Sequence, residues 1–398
     1  MGQASGQPFR VFIHTGEVSG DLQGGLLTAA LYRQAAQRGI SLEVLGVGGA
    51  QMQAAGANIL VDTVQLSAIG ILEAVPYYLK GRKLQQQVNT YLLENPPDLV
   101  VLLDYMGPNV AVGKFVRKHL PQVPMAYYIA PQQWVFSTIG DTQKIIDISD
   151  KMLAIFPQEA AYFKRAGANT RWVGHPLVDI FAEPMTQAAA RQALSLPDTG
   201  KVVTLLPASR QQELRYIMPA MFAAAAKIQA ELPDTTFLVP VSVPDFEGEI
   251  AKAVETYGLN ARLLDRADGR RAIAAADLVL NKSGTANLEV ALMRVPQVVM
   301  YRLSLLTALV AKYVLRFADR FVSPVNLMEN KLIVPELLQW DATPEKISKA
   351  GLTLLTDEAK RLEMLAGYEQ MRRAMGEVGV CDRAANELLD MLPILAIA

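Results

Sequence analysis

Four short segments carry the residue types that could do chemistry. Asp104 directly follows the apolar run 99–103, and a carboxylate at such a strand end can accept a proton from an attacking hydroxyl. The same position suits an aspartate that caps the next helix. Pro207-Ala208-Ser209-Arg210 follows the apolar run 202–206. There Arg210 can hold a diphosphate through two parallel hydrogen bonds, with Ser209 and Glu213 beside it. The alternative is an arginine paired with Glu213 or Glu231. Ser283-Gly284-Thr285 lies between another apolar run and a helical pattern, which suits a cradle of amides and hydroxyls for phosphate. Glu289, four residues past Thr285, would reach ribose hydroxyls. Last, Thr15-Gly16-Glu17-Val18-Ser19-Gly20-Asp21 follows the first apolar run; its glycines let amides approach a ligand, and Ser19 or Asp21 can cap the helix that follows.

Several chemistries lack their residues. No Asp-x-Asp occurs, no G-x-G-x-x-G follows a strand, and no G-x-x-x-x-G-K-[ST] is present. The only histidines are His14, His119 and His175 and the only cysteine is Cys381, so neither a metal cage nor an internal disulfide is expected. No metal and no cofactor are predicted; leaving-group charge would fall to Arg210, amides and helix ends. A net charge of −1 argues against a nucleic-acid partner.

These loops need rigid elements to position them. Hydrophobic residues make up 51% and charged residues 19% of the 398, enough for about two cores. Apolar runs at 10–14, 42–47, 98–103, 124–129, 151–156 and 170–173 alternate with helical patterns such as 21–37 and 108–120. A second series follows at 202–206, 235–241, 262–264, 277–280 and 297–301. Strands with little polar alternation, separated by helices, imply parallel sheets covered on both faces. The predicted fold is therefore α/β, with two doubly wound, Rossmann-like domains. The segment 174–197, with three prolines and a short helix at 186–195, separates them. In such sheets ligands bind at the carboxyl ends of the strands.

The amino-terminal residues do not resemble a secretory signal, and no apolar run reaches the ~20 residues of a bilayer span. The run 303–317 is broken by Lys312 and Arg316. A cytoplasmic protein that touches a membrane from the side is expected. Two stretches suit that contact: 69–83, with Ile69, Ile71, Leu72, Val75 and Leu79 before a basic end, and 301–320, with Lys312, Arg316 and Arg320 at i+4 spacing. Each also fits ordinary core packing.

In this order, the segments resemble the lipid-A-disaccharide synthase family. The likeness runs from Gly16-Glu17-Val18-Ser19-Gly20-Asp21 through Gly46-Val47-Gly48-Gly49, Gly70-Ile71-Leu72-Glu73, Val173-Gly174-His175-Pro176, Pro207-Ala208-Ser209-Arg210 and Ser283-Gly284-Thr285-Ala286 to Val322-Ser323-Pro324-Val325-Asn326-Leu327. The resemblance implies a metal-independent, inverting transferase of the GT-B type. Its domains would be 1–176, on the acceptor and membrane side and including a returning helix at about 371–398, and 177–370, binding the UDP-sugar. It also implies condensation of UDP-2,3-diacylglucosamine with 2,3-diacylglucosamine 1-phosphate to a β(1→6) disaccharide and UDP, at the inner membrane surface. By motif, Asp104 takes the place of the family's candidate base and Arg210 that of an arginine near the phosphates. Glu17 and Ser19 match the amino-terminal loop, and Ser283, Thr285, Glu289 and Asn326 the nucleotide side.

The chain also departs from the family pattern. Gly107 stands where a second carboxylate is usual, Ser137 where an arginine is, and Ala208 where a glycine is. The first two lie on the acceptor side. They keep open another UDP-sugar transferase or epimerase, or a silent nucleotide- or lipid-binding protein. Oligomeric state is left open.

Overall fold

The computed structural model describes residues 7–16, 18–63, 74–131, 133–134, 141–197, 199–303 and 321–393, with the backbone alone at 18 and 74–80. The chain divides into two compact units, residues 1–179 with 374–398, and residues 180–373.

The first unit begins with β1 (Phe9–His14), α1 (Val18–Gln37), β2 (Leu42–Gly48), α2 (Ala50–Ala54), β3 (Asn58–Asp62) and α3 (Ala74–Glu94). It continues with β4 (Leu99–Leu103), α4 (Met106–His119), β5 (Met125–Tyr128), α5 (Asp141–Asp147), β6 (Lys151–Ala154), α6 (Pro157–Arg165), β7 (Thr170–Trp172) and α7 (Leu177–Ile180). Among the described residues its sheet has seven strands in the order β3-β2-β1-β4-β5-β6-β7. Every pairing is parallel. All five residues of β4 are buried, which is why that strand reads as an unbroken apolar run. Phe12, Val100, Leu102 and Tyr127 meet helix residues Val112 and Val116 in one core.

The second unit runs through α8 (Gln187–Ala193), β8 (Val202–Leu206), α9 (Gln211–Tyr216), α10 (Met218–Glu231), β9 (Thr236–Val241), α11 (Glu247–Thr256), β10 (Ala261–Asp265) and α12 (Gly269–Ala275). Then come β11 (Leu278–Lys282), α13 (Ala286–Leu292), β12 (Gln297–Tyr301), α14 (Pro324–Glu329), β13 (Glu336–Leu338), α15 (Pro344–Thr356) and α16 (Glu358–Ala374). The sheet order is β10-β9-β8-β11-β12-β13, again parallel throughout. A separate core gathers Leu238, Val279, Ala272, Ile273 and Val290.

The last helix, α17 (Val380–Leu389), belongs to the first unit and lies on α1, as the fold expectation had it. Its buried residues Val380, Cys381, Ala384, Ala385, Leu388 and Leu389 form one apolar stripe at helical spacing. Asp179 fixes its start: the carboxylate accepts from the amides of Gly379 (2.7 Å), Val380 (3.0 Å) and Cys381 (2.8 Å). Ion pairs Arg33–Asp382 (2.5 Å) and Arg38–Asp390 (2.6 Å) tie it to α1 at the rim. Such exposed pairs contribute little beside the stripe.

In each sheet the order reverses once, between β1 and β4 and between β8 and β11. Connections there leave on opposite faces, so the crevice outside the carboxyl ends is where a ligand can sit. Asp104 follows a strand at the first reversal, and Ser209, Arg210, Glu213, Ser283, Gly284 and Thr285 follow the two strands at the second.

Candidate active site

In the first unit, Asp104 leaves β4 with φ 51°, and Tyr105 after it has φ 38°. Tyr105, not Asp104, is the cap residue of α4, so the capping alternative for Asp104 does not apply. The Tyr105 ring lies over Gly16, where a Cβ would come within 2.1 Å of ring carbons. Only glycine lets the loops after β1 and β4 touch in this way. Asn109, fully buried on the first turns of α4, donates from Nδ2 to the carbonyls of Leu103 (3.1 Å) and Asp104 (2.6 Å). With Nδ2 turned to two carbonyls, Asn109 Oδ1 is left to accept from Nδ1–H of buried His14, at 2.6 Å. Burial pulls the His14 pKa down to about 4 against that hydrogen bond, so the imidazole is neutral. The Tyr127 hydroxyl also donates to the Asp104 carbonyl, at 2.7 Å. Burial raises the Tyr127 pKa, the Asn109 bond opposes this, and the nearby Asp104 charge raises it further.

Next along the sheet, Ile129 has φ 57°, unusual for a β-branched residue. The amide of Asp104 donates to the carbonyls of Tyr128 (3.3 Å) and Ile129 (3.2 Å). Glu159, buried on α6, accepts from the amides of Ile155 (2.8 Å) and Phe156 (3.3 Å), and the amide of Ala130 is close enough to favour its charged form. Burial outweighs these amides and raises its carboxyl pKa to about 8. One carboxyl thus joins the loops after β5 and β6. The sequence reading missed Glu159, although Pro157 at a helix start with glutamate two residues on is a recognisable signal.

Ser19 is half-buried in the first turn of α1, and Glu17 lies outside the described residues. Asp21 does not cap its own helix. Its carboxylate takes the amides of Gly49 (2.8 Å), Gln51 (2.9 Å) and Met52 (3.1 Å), and so caps α2. The helix α1 starts at Val18, which places Asp21 inside it and aims the side chain at the neighbouring loop. Gly107 has open space where a Cβ would stand.

In the second unit, Ser209 and Arg210 are exposed, and Arg210 is the cap residue of α9. Glu213 Oε2 accepts from the Ser209 amide (2.6 Å), the Ser209 hydroxyl (3.1 Å) and the Arg210 amide (3.0 Å). Its Oε1 pairs with Lys282 Nζ at 3.0 Å, with both side chains largely buried. Glu213 therefore braces the loop. Among the described residues no carboxylate pairs with the Arg210 guanidinium, so the ion pair weighed with Glu213 or Glu231 is not formed. Burial raises the Tyr301 pKa, Glu213 adds to this and Arg210 opposes it, so both charges lie near the end of β12.

The Ser283–Thr285 loop is partly self-satisfied. The Ser283 amide donates to Met300 (3.0 Å), its hydroxyl to Val322 (3.2 Å), and the Gly284 amide to Asn287 Oδ1 (3.1 Å). Thr285 is exposed. Among the described residues the uncompensated cation at this corner is Arg210; Lys282, whose Nζ lies 3.7 Å from where a Gly284 Cβ would be, is paired with Glu213. Lys282 was not singled out from sequence, because only the pairing of β8 with β11 brings it beside Glu213. Glu289 is mostly buried and faces Arg270 at 3.6 Å; burial raises its pKa and Arg270 opposes the rise. Asn326 is fully buried and occupied: Oδ1 accepts from Ile333 and Val334, and Nδ2 donates to Val334 and Glu336. It holds the chain between α14 and β13.

Of the expected membrane residues, Ile69, Ile71 and Leu72 lie outside the described residues. Val75 and Leu79 fall in α3, with side chains that are not described. Most of the second stretch, 304–320, is also outside. Among the described residues no helix is long and apolar enough to cross a membrane, and no His/Cys/Asp/Glu group suits a metal ion.

Two doubly wound parallel sheets in tandem, each with polar loops at its strand-order reversal, define a GT-B architecture. Solved structures share it: a UDP-GlcNAc 2-epimerase from Neisseria meningitidis bound to UDP-GlcNAc has a TM-score of 0.66 at 12% identity, covering 96% of this chain and 100% of that one. The calicheamicin glycosyltransferase CalG4 has 0.58 at 14%, covering 98% and 100%. At such identities the likeness concerns the fold alone. The sequence relatives are more specific. The family model for lipid-A-disaccharide synthetase matches residues 11–389. Lipid-A-disaccharide synthases of Gloeothece citriformis (49% identical; 96% of this chain, 99% of the relative) and Synechocystis sp. (45%; 96% and 97%) align over nearly their whole length. The chain belongs to the lipid-A-disaccharide synthase family.

Proposed function

We propose that this chain is a lipid-A-disaccharide synthase, joining UDP-2,3-diacylglucosamine to 2,3-diacylglucosamine 1-phosphate. The observation that carries the reading is Arg210, exposed and without a carboxylate partner among the described residues, beside Lys282 at the reversal of the second sheet. A cation at a helix start opposes the helix field unless an anion joins it, and a diphosphate is such an anion. In the reaction the acceptor hydroxyl oxygen forms a bond to the anomeric carbon as the bond from that carbon to the β-phosphate oxygen breaks. The hydroxyl proton passes to Asp104, and UDP departs with its added charge toward Arg210. Attack from the face opposite the leaving group inverts the anomeric centre. No divalent ion is assigned a part in this scheme.

The acylated substrates belong in a bilayer, so a surface contact through residues 69–79 belongs to the same proposal. The apolar residues there precede Lys80, Arg82 and Lys83, as interfacial segments do. On this reading the enzyme works in the cytoplasm at the inner membrane.

The test is UDP release from purified protein with donor, with and without acceptor, in detergent and with EDTA. Acceptor-dependent release that survives EDTA and falls by ~10²-fold or more in Arg210→Ala is the expected result, the size typical of losing one donor to developing charge. UDP binding without release would favour a changed acceptor or a silent protein. No UDP binding would overturn the reading. Sedimentation with anionic vesicles, weakened by salt and by Ile71→Asp, checks the surface contact.

A further inference from the structure

We infer that Asn109 and Tyr127, with His14 behind them, are positioning residues that set the direction of the Asp104 carboxylate. The inference rests on Asp104 as the base. Two successive non-glycine residues, Asp104 and Tyr105, hold left-handed backbone angles at the end of β4. L-residues leave that region readily unless their surroundings over-determine it. Here they do. The Asp104 carbonyl accepts from Asn109 Nδ2 at 2.6 Å and from the Tyr127 hydroxyl at 2.7 Å. The preceding Leu103 carbonyl accepts from the same Nδ2 at 3.1 Å. Asn109 and Tyr127 are both fully buried, and Nδ2 also reaches the Tyr127 oxygen at 3.3 Å.

The amide of Asn109 can face only one way. Reversed, its oxygen would oppose two carbonyl oxygens, and its nitrogen would meet His14. His14 secures the observed orientation by donating from Nδ1 to Oδ1 at 2.6 Å. A buried chain thus runs from β1, through α4, to the backbone of the residue after β4. Because φ and ψ at residue 104 fix its Cα–Cβ direction, loosening the carbonyl swings the carboxylate. The side chains of His14, Asn109 and Tyr127 are buried, so their loss should leave binding in place and weaken the step itself.

Tyr127→Phe removes one hydrogen bond and keeps the ring. It should lower kcat ~10-fold, with KM for donor and acceptor within about twofold, since small misplacements of a reacting group act on the chemical step. Asn109→Ala should lower kcat ~10²-fold with a similar split. Asn109→Asp puts an oxygen where Nδ2 donates to two carbonyls, so it should lower kcat as Asn109→Ala does, with KM again within about twofold. A merely structural role would lower the melting temperature and leave kcat per folded molecule unchanged. Asp104→Asn is the control: if it keeps near-native turnover, the base reading fails and this inference falls with it. If Asp104→Asn is inactive while Tyr127→Phe and Asn109→Ala keep kcat within twofold, the positioning role alone is wrong. Should Asn109→Ala not fold, judged by thermal melting, Tyr127→Phe decides.

Discussion

His14, His175 and Glu159 are ionisable groups sealed into the first unit, and they respond to pH in opposite senses. Burial lowers the two imidazoles from 6.5 to about 4 and about 3, and raises the Glu159 carboxyl from 4.5 to about 8. Each histidine contributes stability that is present above pH 6.5 and is lost as acid protonates the unfolded chain first. Glu159 works in reverse: its contribution is complete below pH 4.5 and declines as the pH rises toward 8. Between 4.5 and 6.5 the two histidines outweigh the one glutamate, and above 6.5 only the decline is left. Thermal melts of the first unit's transition should therefore peak near pH 6.5, and Glu159→Gln should flatten the alkaline side. An unchanged alkaline slope in that variant would show that Glu159 is ionised in the fold. Asp104 and Arg210 could be read from sequence because Asp104 directly follows one apolar run and Arg210 closes the short Pro207-Ala208-Ser209 turn after another. The settings of Asn109 and Lys282 could not, because His14, Tyr127 and Glu213 come from segments that meet only when strands pair, whereas Glu159 is held by amides of its own loop and carried a local signal. Asn326 matched a motif, yet its side chain is occupied by its own loop.

Among the described residues, all the interior strands were recognised from sequence, while of the four edges β7 and β10 were recognised and β3 and β13 overlooked. β4 and β8 give continuous apolar runs, whereas β3 and β13 are half-exposed and carry mixed residues that resemble loop. Helix ends were shifted for a similar reason: α1 starts at Val18, and Asp21, a good cap by type, serves α2. The cap of α17 shows how far such partners can lie apart, since Asp179 reaches residues 379–381. Asp179→Ala should cost about 1–2 kcal/mol, the usual range for a lost cap. Amide exchange along 380–389 should quicken more than in β4, which would separate a loosened helix from global destabilisation.

Two separate cores should melt as two events. In calorimetry, Asp179→Ala should lower the transition of the first unit. UDP should raise the other, by about 2.7 kcal/mol at a hundredfold excess over its Kd. Movement of both transitions by UDP would mean that nucleotide also engages the first unit. The alternation of apolar runs and helices was enough to predict two doubly wound sheets. The end of the first unit's opening segment at Asp179 depends on contacts with α17 that no local pattern carries. That discontinuity has a consequence for synthesis. Residues 7–172 can form their sheet as they emerge from the ribosome, but the face of α1 that receives α17 stays wet until residues 180–373 have been made. The unit begun first is finished last, so a stalled or truncated chain presents that bare helical face to chaperones and proteases, whatever the state of the second core.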